Sequence, residues 1–150
     1  MSKRIIYYYQ TFIGLKDILN PDTKVTHIHL SSIHFGLDND NIPYIHLNDI
    51  PPNSKIFDSV WSDLETAKQL GIKVILMVGG AGGAFQDLFS NYDTYYPLLK
   101  ELIINKRNII DGIDLDIEEI VDLDNVESLI KTLKTDFGSN FIITMAPVQS

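Results

Sequence analysis

Three carboxylate side chains alternate along one short segment of the sequence, DGIDLDIEE at residues 111–119: Asp114, Asp116 and Glu118. The residues between them are aliphatic, and side chains alternate along a strand, so the segment predicts a buried strand with all three carboxylates on one face. Like charges that crowd together away from water raise the pKa of at least one carboxyl group. Because a carboxyl group that holds its proton near neutral pH can act as a general acid, we interpret this segment as a candidate acid–base site.

Two other interpretations of these carboxylates stay open on the residues alone. They could lie on an exposed strand face or pair with lysine side chains, since perturbed acids also occur in structural networks. They could also bind a metal ion, although the spacing and central glycine of an EF-hand are absent. His27 and His29 share a strand face and could form a metal pair, but no third ligand accompanies them. We therefore expect two core or rim histidines and no metal site.

Short apolar segments alternate with segments of helical periodicity along the rest of the chain. Strands are predicted at residues 4–9, 24–31, 73–78, 109–117 and 141–145. A β-hairpin is predicted at residues 33–47, around the polar turn DNDN at 38–41. Apolar stripes of helical spacing occupy residues 57–67, 95–103 and 126–133. We expect Trp61 in the core, Pro97 in the first turn of its helix, and a helix that begins at Asp124 with Glu127 completing a capping box.

Alternation of buried strands with helices predicts an α/β fold built on a parallel sheet. An open, doubly wound sheet and part of a (β/α)8 barrel both fit this order, and periodicity does not separate them. At 150 residues the chain is too short for a complete barrel, which usually takes about 250 residues.

Composition restricts the partners and the location of the protein. Twelve Lys and Arg against 20 Asp and Glu give a net charge of −8 without a basic cluster, which argues against nucleic acid and anionic membranes as partners. Without cysteine the chain has no disulfide, thiolate metal site or thiol nucleophile. No apolar run is long enough to span a membrane, and the N-terminus lacks the pattern of a signal peptide. We therefore expect an intracellular protein, unless a targeting segment was removed.

Residues 111–118 resemble the signature D-G-x-D-x-D-x-E of glycoside hydrolase family 18, the chitinases and related endo-N-acetylglucosaminidases, at all five specified positions. Weaker elements occur in the matching order: YYY at 7–9, THI at 26–28, VGG at 78–80 after Met77 in place of a serine, and TMAP at 144–147. The resemblance covers the whole chain. It implies that residues 1–150 are the N-terminal part of a (β/α)8 TIM-type barrel, truncated after about the fifth strand, with the hairpin as an insertion.

The resemblance also implies a role for each carboxylate. Glu118 would be the general acid that protonates the glycosidic oxygen. Asp116 would orient the N-acetyl group of the substrate, whose own oxygen attacks the anomeric carbon in place of a protein nucleophile. Asp114 would share a proton with Asp116. Asp111 lies at the opposite parity, so we interpret it as a structural residue, and no cofactor is implied.

Four further residues are predicted to bind substrate: Tyr8, Gly79, Gly80 and Met145. Tyr8 would point into the barrel near Asp114. The two glycines permit unusual backbone angles or a close approach at the end of their strand. They could make room beside a sugar, or they could form a tight turn that packs against a neighbour, and both interpretations stay open.

The resemblance implies a chitinase-like hydrolase that cleaves β-1,4-linked N-acetylglucosamine polymers by a retaining, substrate-assisted mechanism. The sixth-strand Tyr and eighth-strand Trp of such sites would lie beyond Ser150, and Ser32 stands where many members have an aromatic residue. We therefore expect the isolated chain to be inactive or weakly active, and to self-associate through open sheet edges. Two alternatives stay open: an inactive, sugar-binding half-barrel, and an endo-β-N-acetylglucosaminidase acting on N-glycans.

Overall fold

A computed structural model describes residues 3–145 as a single six-stranded sheet with helices packed against it. The strands are β1 (Ile6–Tyr9), β2 (His27–Leu37), β3 (Pro43–Leu47), β4 (Lys73–Gly80), β5 (Gly112–Ile117) and β6 (Ile142–Met145). The helices are α1 (Asp58–Gln69), preceded by the 3₁₀ turn Lys55–Phe57, then α2 (Ala84–Ser90), α3 (Tyr92–Asn105) and α4 (Leu123–Phe137). None of the helices in this part of the chain is long and apolar enough to cross a membrane.

Five of the strands are parallel and lie in the order β1-β2-β4-β5-β6, which is also their order along the chain. A doubly wound sheet reverses its strand order at a switch point. The sheet shows no such reversal, so it has the winding of a barrel wall, and this resolves the alternative that periodicity left open. The two outer parallel strands, β1 and β6, are the edges of the described sheet.

The hairpin differs from its prediction in one respect. β2 is a single strand of 11 residues whose second half pairs antiparallel with β3, from Ile33 opposite Leu47 to Leu37 opposite Pro43. The pairing of β2 with β4 shifts register between Ser31 and Ile33. The shift lets one strand serve both the parallel sheet and the hairpin, so the predicted break after residue 31 is a bulge and not a strand end.

The core forms between the helices and the face of the sheet opposite the carboxylates. Ile113, Leu115 and Ile117 of β5 are at most 3% exposed. They belong to one cluster with the apolar faces of α1, α3 and α4, which include Leu64, Leu99, Leu102, Leu129 and Leu133. Trp61 is 5% exposed and donates its indole N–H to the Pro52 carbonyl at 2.9 Å, so its predicted core position is confirmed.

Helix ends are where the sequence-based expectations were least accurate. α4 begins at Leu123, and its N-cap is Asp122, which accepts a hydrogen bond from the Asp124 amide at 2.9 Å. The predicted capping box starting at Asp124 was therefore wrong, because an acceptor two residues earlier caps the helix. α3 begins at Tyr92, which places Pro97 inside the helix and not in its first turn. The short helix α2 was not predicted.

Candidate active site

Asp114 and Asp116 lie on β5, and Glu118 is the first residue after its end. The three side chains become progressively more accessible along the strand: Asp114 is 8% exposed, Asp116 is half-buried and Glu118 is exposed. The aliphatic residues between them are buried. The predicted alternation is thus confirmed, with one acidic face and one core face.

The acidic face lines a cavity of about 580 Å³, which we call the carboxylate cleft. Its walls come from β1, β2, β4, β5 and β6 and the residues beside them: Arg4, Ile6, Tyr8, Gln10, His29, Met77, Asp114, Asp116, Thr144 and Met145. Parallel pairing brings these side chains together, since Met77 lies opposite Asp114 and Asp114 lies opposite Thr144. The cleft therefore gathers residues that are up to about 140 positions apart in the chain.

Asp114 is held at the inner end of the cleft by two neighbours. The Thr144 hydroxyl donates a hydrogen bond to its Oδ1 at 2.5 Å, and the Nδ1 atom of His29 lies 3.9 Å from its Oδ2. His29 is 3% exposed, and this nitrogen finds no hydrogen-bond partner among residues 3–145. Burial lowers the pKa of His29, against the opposing effect of the Asp114 charge. At neutral pH the imidazole of His29 is therefore neutral and gives the Asp114 carboxyl group no cationic partner.

Asp116 occupies the middle position among the three carboxylates, and its pKa is raised. Burial raises its pKa, and the charges of Glu118 and Asp114 raise it further. This is the direction that the crowding of like charges predicts. Asp116 is thus better able than an ordinary aspartate to hold a proton.

Glu118 and Asp111 lie at opposite ends of the segment and have different surroundings. Glu118 is exposed and is not among the residues that line the cleft; it follows the end of β5, two residues beyond Asp116, and we call this position the rim. Asp111 accepts a hydrogen bond from the Lys68 ammonium at 2.6 Å and one from the Val74 amide at 2.8 Å. Both oxygens of Asp111 therefore join β5 to α1 and β4, which agrees with a structural residue.

Gly79 and Gly80 both have positive φ angles, +102° and +83°, but they differ in their neighbours. A Cβ atom on Gly79 would press on the backbone carbonyl of Asp116 and lie 2.7 Å from Cε2 of Phe85. A Cβ atom on Gly80 would lie 3.5 Å from the Asp116 carboxylate oxygen Oδ2. The two glycines therefore differ in role: Gly79 packs against the backbone of β5, and Gly80 lies beside the Asp116 carboxylate.

Tyr8 and Met145 both line the cleft and are 55% and 47% exposed. The Tyr8 ring meets the His29 ring edge-on, with centroids 5.3 Å apart, so it borders the same pocket as Asp114. Ala146 and Pro147, the rest of the TMAP segment, lie outside the described residues. His27 does not line the cleft.

Several cleft residues were not predicted to be part of a site, namely Arg4, Ile6, Gln10, His29, Met77 and Thr144. Strand parity offers a signal for some of them, because Tyr8 pairs with His29, and Thr144 pairs with Asp114, across adjacent strands. Parity alone does not give the register between strands, so the sequence could not identify these pairs. Among residues 3–145, no three His, Asp or Glu side chains are grouped as a metal site would require.

Comparisons with known proteins agree with this geometry. The family profile described as Glycosyl hydrolases family 18 matches residues 4–150. The chain is 34% identical in sequence to the chitinase ChiC from Aspergillus fumigatus, and its structure superposes on the solved structure of that protein with a TM-score of 0.86 over 97% of this chain. A fungal endo-β-N-acetylglucosaminidase of glycosyl hydrolase family 18 is 33% identical, with a TM-score of 0.80 over 97% of this chain. None of the curated proteins matches the chain.

The chain covers only 55% of each of these two solved structures, so it spans about half of their length. A chitinase from Pseudoalteromonas aurantia, 19% identical with a TM-score of 0.72, shares the fold over 97% of the chain. The predicted α/β fold of barrel type, represented by its first parallel strands, is thereby confirmed. With a family profile that matches nearly its full length and two structures above 30% identity, the chain belongs to glycoside hydrolase family 18.

Proposed function

We propose that this chain carries the catalytic carboxylates of a chitinase-like hydrolase that cleaves β-1,4-linked N-acetylglucosamine polymers with retention of configuration. One observation carries the proposal: three carboxylates alternate along β5, and the middle one has a raised pKa because of burial and its two acidic neighbours. Membership of the family supports the reaction class. Residues 1–150 would be the N-terminal part of the catalytic domain, with the hairpin of β2 and β3 as an insertion.

In this proposal Glu118 is the general acid. It stands at the exposed rim, where the oxygen between two sugars of a long polymer has access. Asp116 orients the N-acetyl group, whose carbonyl oxygen attacks the anomeric carbon while the leaving group takes the proton of Glu118. Water then opens the cyclic intermediate and gives its proton to the Glu118 carboxylate, which restores the acid, and the two successive inversions return the original configuration. The raised pKa of Asp116 lets a proton be shared with Asp114, which Thr144 fixes in place.

Substrate binding is assigned to the open wall of the cleft. Tyr8 and Met145 offer exposed apolar surface at its border, and Gly80 keeps the space beside the Asp116 carboxylate free of a side chain. Gly79 contributes through the backbone, because it lets β4 approach β5 closely. No cofactor takes part in this scheme.

An endo-β-N-acetylglucosaminidase acting on N-glycans is a second candidate. The similarity to a fungal enzyme of that name, at 33% identity, is nearly as strong as the similarity to the chitinase, at 34%. An inactive half-barrel that only binds sugar is a third, because the chain spans 55% of these structures. These two similarities do not separate N-acetylglucosamine polymers from N-glycans as the substrate, so an assay with both decides between them.

The test measures hydrolysis of N-acetylglucosamine oligomers and of an N-glycan by the chain and by three variants. Glu118→Gln should lower kcat by about 10²- to 10⁴-fold, the usual contribution of a general acid. Asp116→Asn should act mainly on N-acetylated substrates. Glu127→Gln is the matched control, because Glu127 is an exposed glutamate on α4 that does not line the cleft.

NMR of the first product should show the β-anomer from a β-linked substrate. Near-normal turnover by Glu118→Gln, or the α-anomer as first product, would refute the assignment. If the unaltered chain hydrolyses neither substrate but binds an oligomer, and Asp116→Asn weakens that binding, the sugar-binding half-barrel replaces the enzyme.

A further inference from the structure

Glu119, the residue directly after the proposed acid, has a firmly defined environment. Its Oε1 accepts a hydrogen bond from the Phe85 amide at 2.7 Å, and its Oε2 accepts one from the Gln86 amide at 3.0 Å. Both amides lie in the first turn of α2, whose N-cap residue, Gly83, provides no side-chain acceptor. One carboxylate therefore satisfies two of the amides that a helix N-terminus leaves unpaired, where a negative charge is also favourable.

This contact links two segments that are 33–34 positions apart in the sequence. The turn after β5 carries Glu118, and the short loop at residues 81–83 connects the end of β4 to α2. Both the end of β4 and the start of this loop are bound to β2, because the Ser32 hydroxyl donates to the Gly79 carbonyl at 2.5 Å and His34 Nε2 bonds to the Ala81 carbonyl at 2.8 Å. Glu119 thus ties the β5 turn to a loop that β2 already holds.

Glu118 stands between two fixed points. On one side, Ile117 is 3% exposed and pairs with Gly80 in the sheet. On the other side, Glu119 is bound to α2 through both oxygens. Within residues 3–145 the Glu118 carboxylate itself makes no hydrogen bond, so its place at the rim is determined by the backbone on either side of it.

We infer that Glu119 is a positioning residue that holds the Glu118 backbone, and with it the acid, at the rim of the carboxylate cleft. The catalytic part of this inference rests on the function proposed above, whereas the mechanical part does not. A shorter or neutral side chain at 119 releases the turn while leaving Glu118 and the cleft walls chemically unchanged.

Three variants separate this role from general destabilisation. Glu119→Ala removes both acceptors, Glu119→Gln keeps one acceptor oxygen, and Glu127→Ala is a control with the same loss of charge on an exposed site of α4. Circular dichroism gives the folded fraction of each. In Glu119→Ala the amides of Phe85 and Gln86 should exchange faster, and the backbone order parameter at Glu118 should fall from about 0.85 to below about 0.6. Glu119→Gln should be intermediate and the control unchanged.

On N-acetylglucosamine oligomers, Glu119→Ala should lower kcat by about 100-fold, since a small misplacement of a catalytic group has an effect of that size, with KM nearly unchanged. Glu119→Gln should recover part of the loss. If the unaltered chain is inactive, kcat gives no comparison, and the exchange rates and the order parameter alone decide whether Glu119 positions the turn. Wild-type order at Glu118 in Glu119→Ala, or activity per folded molecule equal to that of the control, would overturn the inference.

Discussion

Gly79→Ala is the substitution whose cost the structure defines most sharply. The residue has a φ of +102°, which a side chain disfavours, and a Cβ atom would press on the backbone carbonyl of Asp116 and the ring of Phe85. The carbonyl belongs to β5 and cannot move without the strand. Two other glycines separate the two costs. Gly71 has a φ of +82° with no atom within 4 Å of its Cβ position, and Gly112 lacks a positive φ but would press on the Ile142 carbonyl.

The magnitude follows from these two terms. A side chain in the left-handed region costs about 1–2 kcal/mol. Extra volume forced into a packed site costs about 1–3 kcal/mol. Gly71→Ala should therefore lose about 1–2 kcal/mol of unfolding free energy and Gly112→Ala about 1–3 kcal/mol. Gly79→Ala should lose about 2–5 kcal/mol, a large share of the total stability of about 5–15 kcal/mol that a domain usually has.

Urea unfolding followed by circular dichroism measures all three variants on the same scale. Gly79→Ala should lose the most unfolding free energy, about as much as Gly71→Ala and Gly112→Ala lose together. A loss at Gly79 no larger than that at Gly71 would show that β4 and β5 separate easily at this point. The close approach of Gly79 to the carboxylate strand would then be no constraint on the site.

Burial lowers the pKa values of His27, His29 and His46, so the unfolded chain binds more protons below about pH 6.5. Unfolding free energy should therefore fall on acidification from pH 7.5 to 5.5, by at most about 1.4 kcal/mol per pH unit for each histidine; His29→Asn should flatten the slope, and a flat wild-type profile would contradict the argument. The edge strands β1 and β6 expose Tyr8 and Met145, and self-association through them stays a prediction. Sedimentation velocity should show species larger than a monomer, and a monomer at every concentration would refute it.

Local pattern was enough to predict the acidic strand. Asp114, Asp116 and Glu118 alternate with aliphatic residues, and strand geometry turns that alternation into two faces without reference to the rest of the chain. The same reasoning separated Asp111, which has the opposite parity and is bound to Lys68 and the Val74 amide. Features set by a single element were thus accessible from the sequence.

Features set by register between elements were not accessible. The different surroundings of Gly79 and Gly80 depend on the pairing of β4 with β5, in which Gly79 lies opposite Asp116. The contact of Thr144 with Asp114 depends in the same way on β6. The cap that Glu119 provides for α2 needs two distant segments to meet, and neither segment carries a local signal of the other.

Residues 111–119 hold five carboxylates in nine positions, and the outer two differ from the inner three in their surroundings. The outer two have hydrogen-bond partners: Asp111 accepts from an ammonium group and a backbone amide, and Glu119 accepts from two amides at a helix N-terminus. Because these bonds hold both ends of the segment, they restrain the backbone positions of the three inner carboxylates. Burial raises the pKa of the half-buried Asp116, and the charges of Glu118 and Asp114 on either side of it raise that pKa further. The anchors at the two ends are therefore part of what makes the middle of the strand suited to acid–base chemistry.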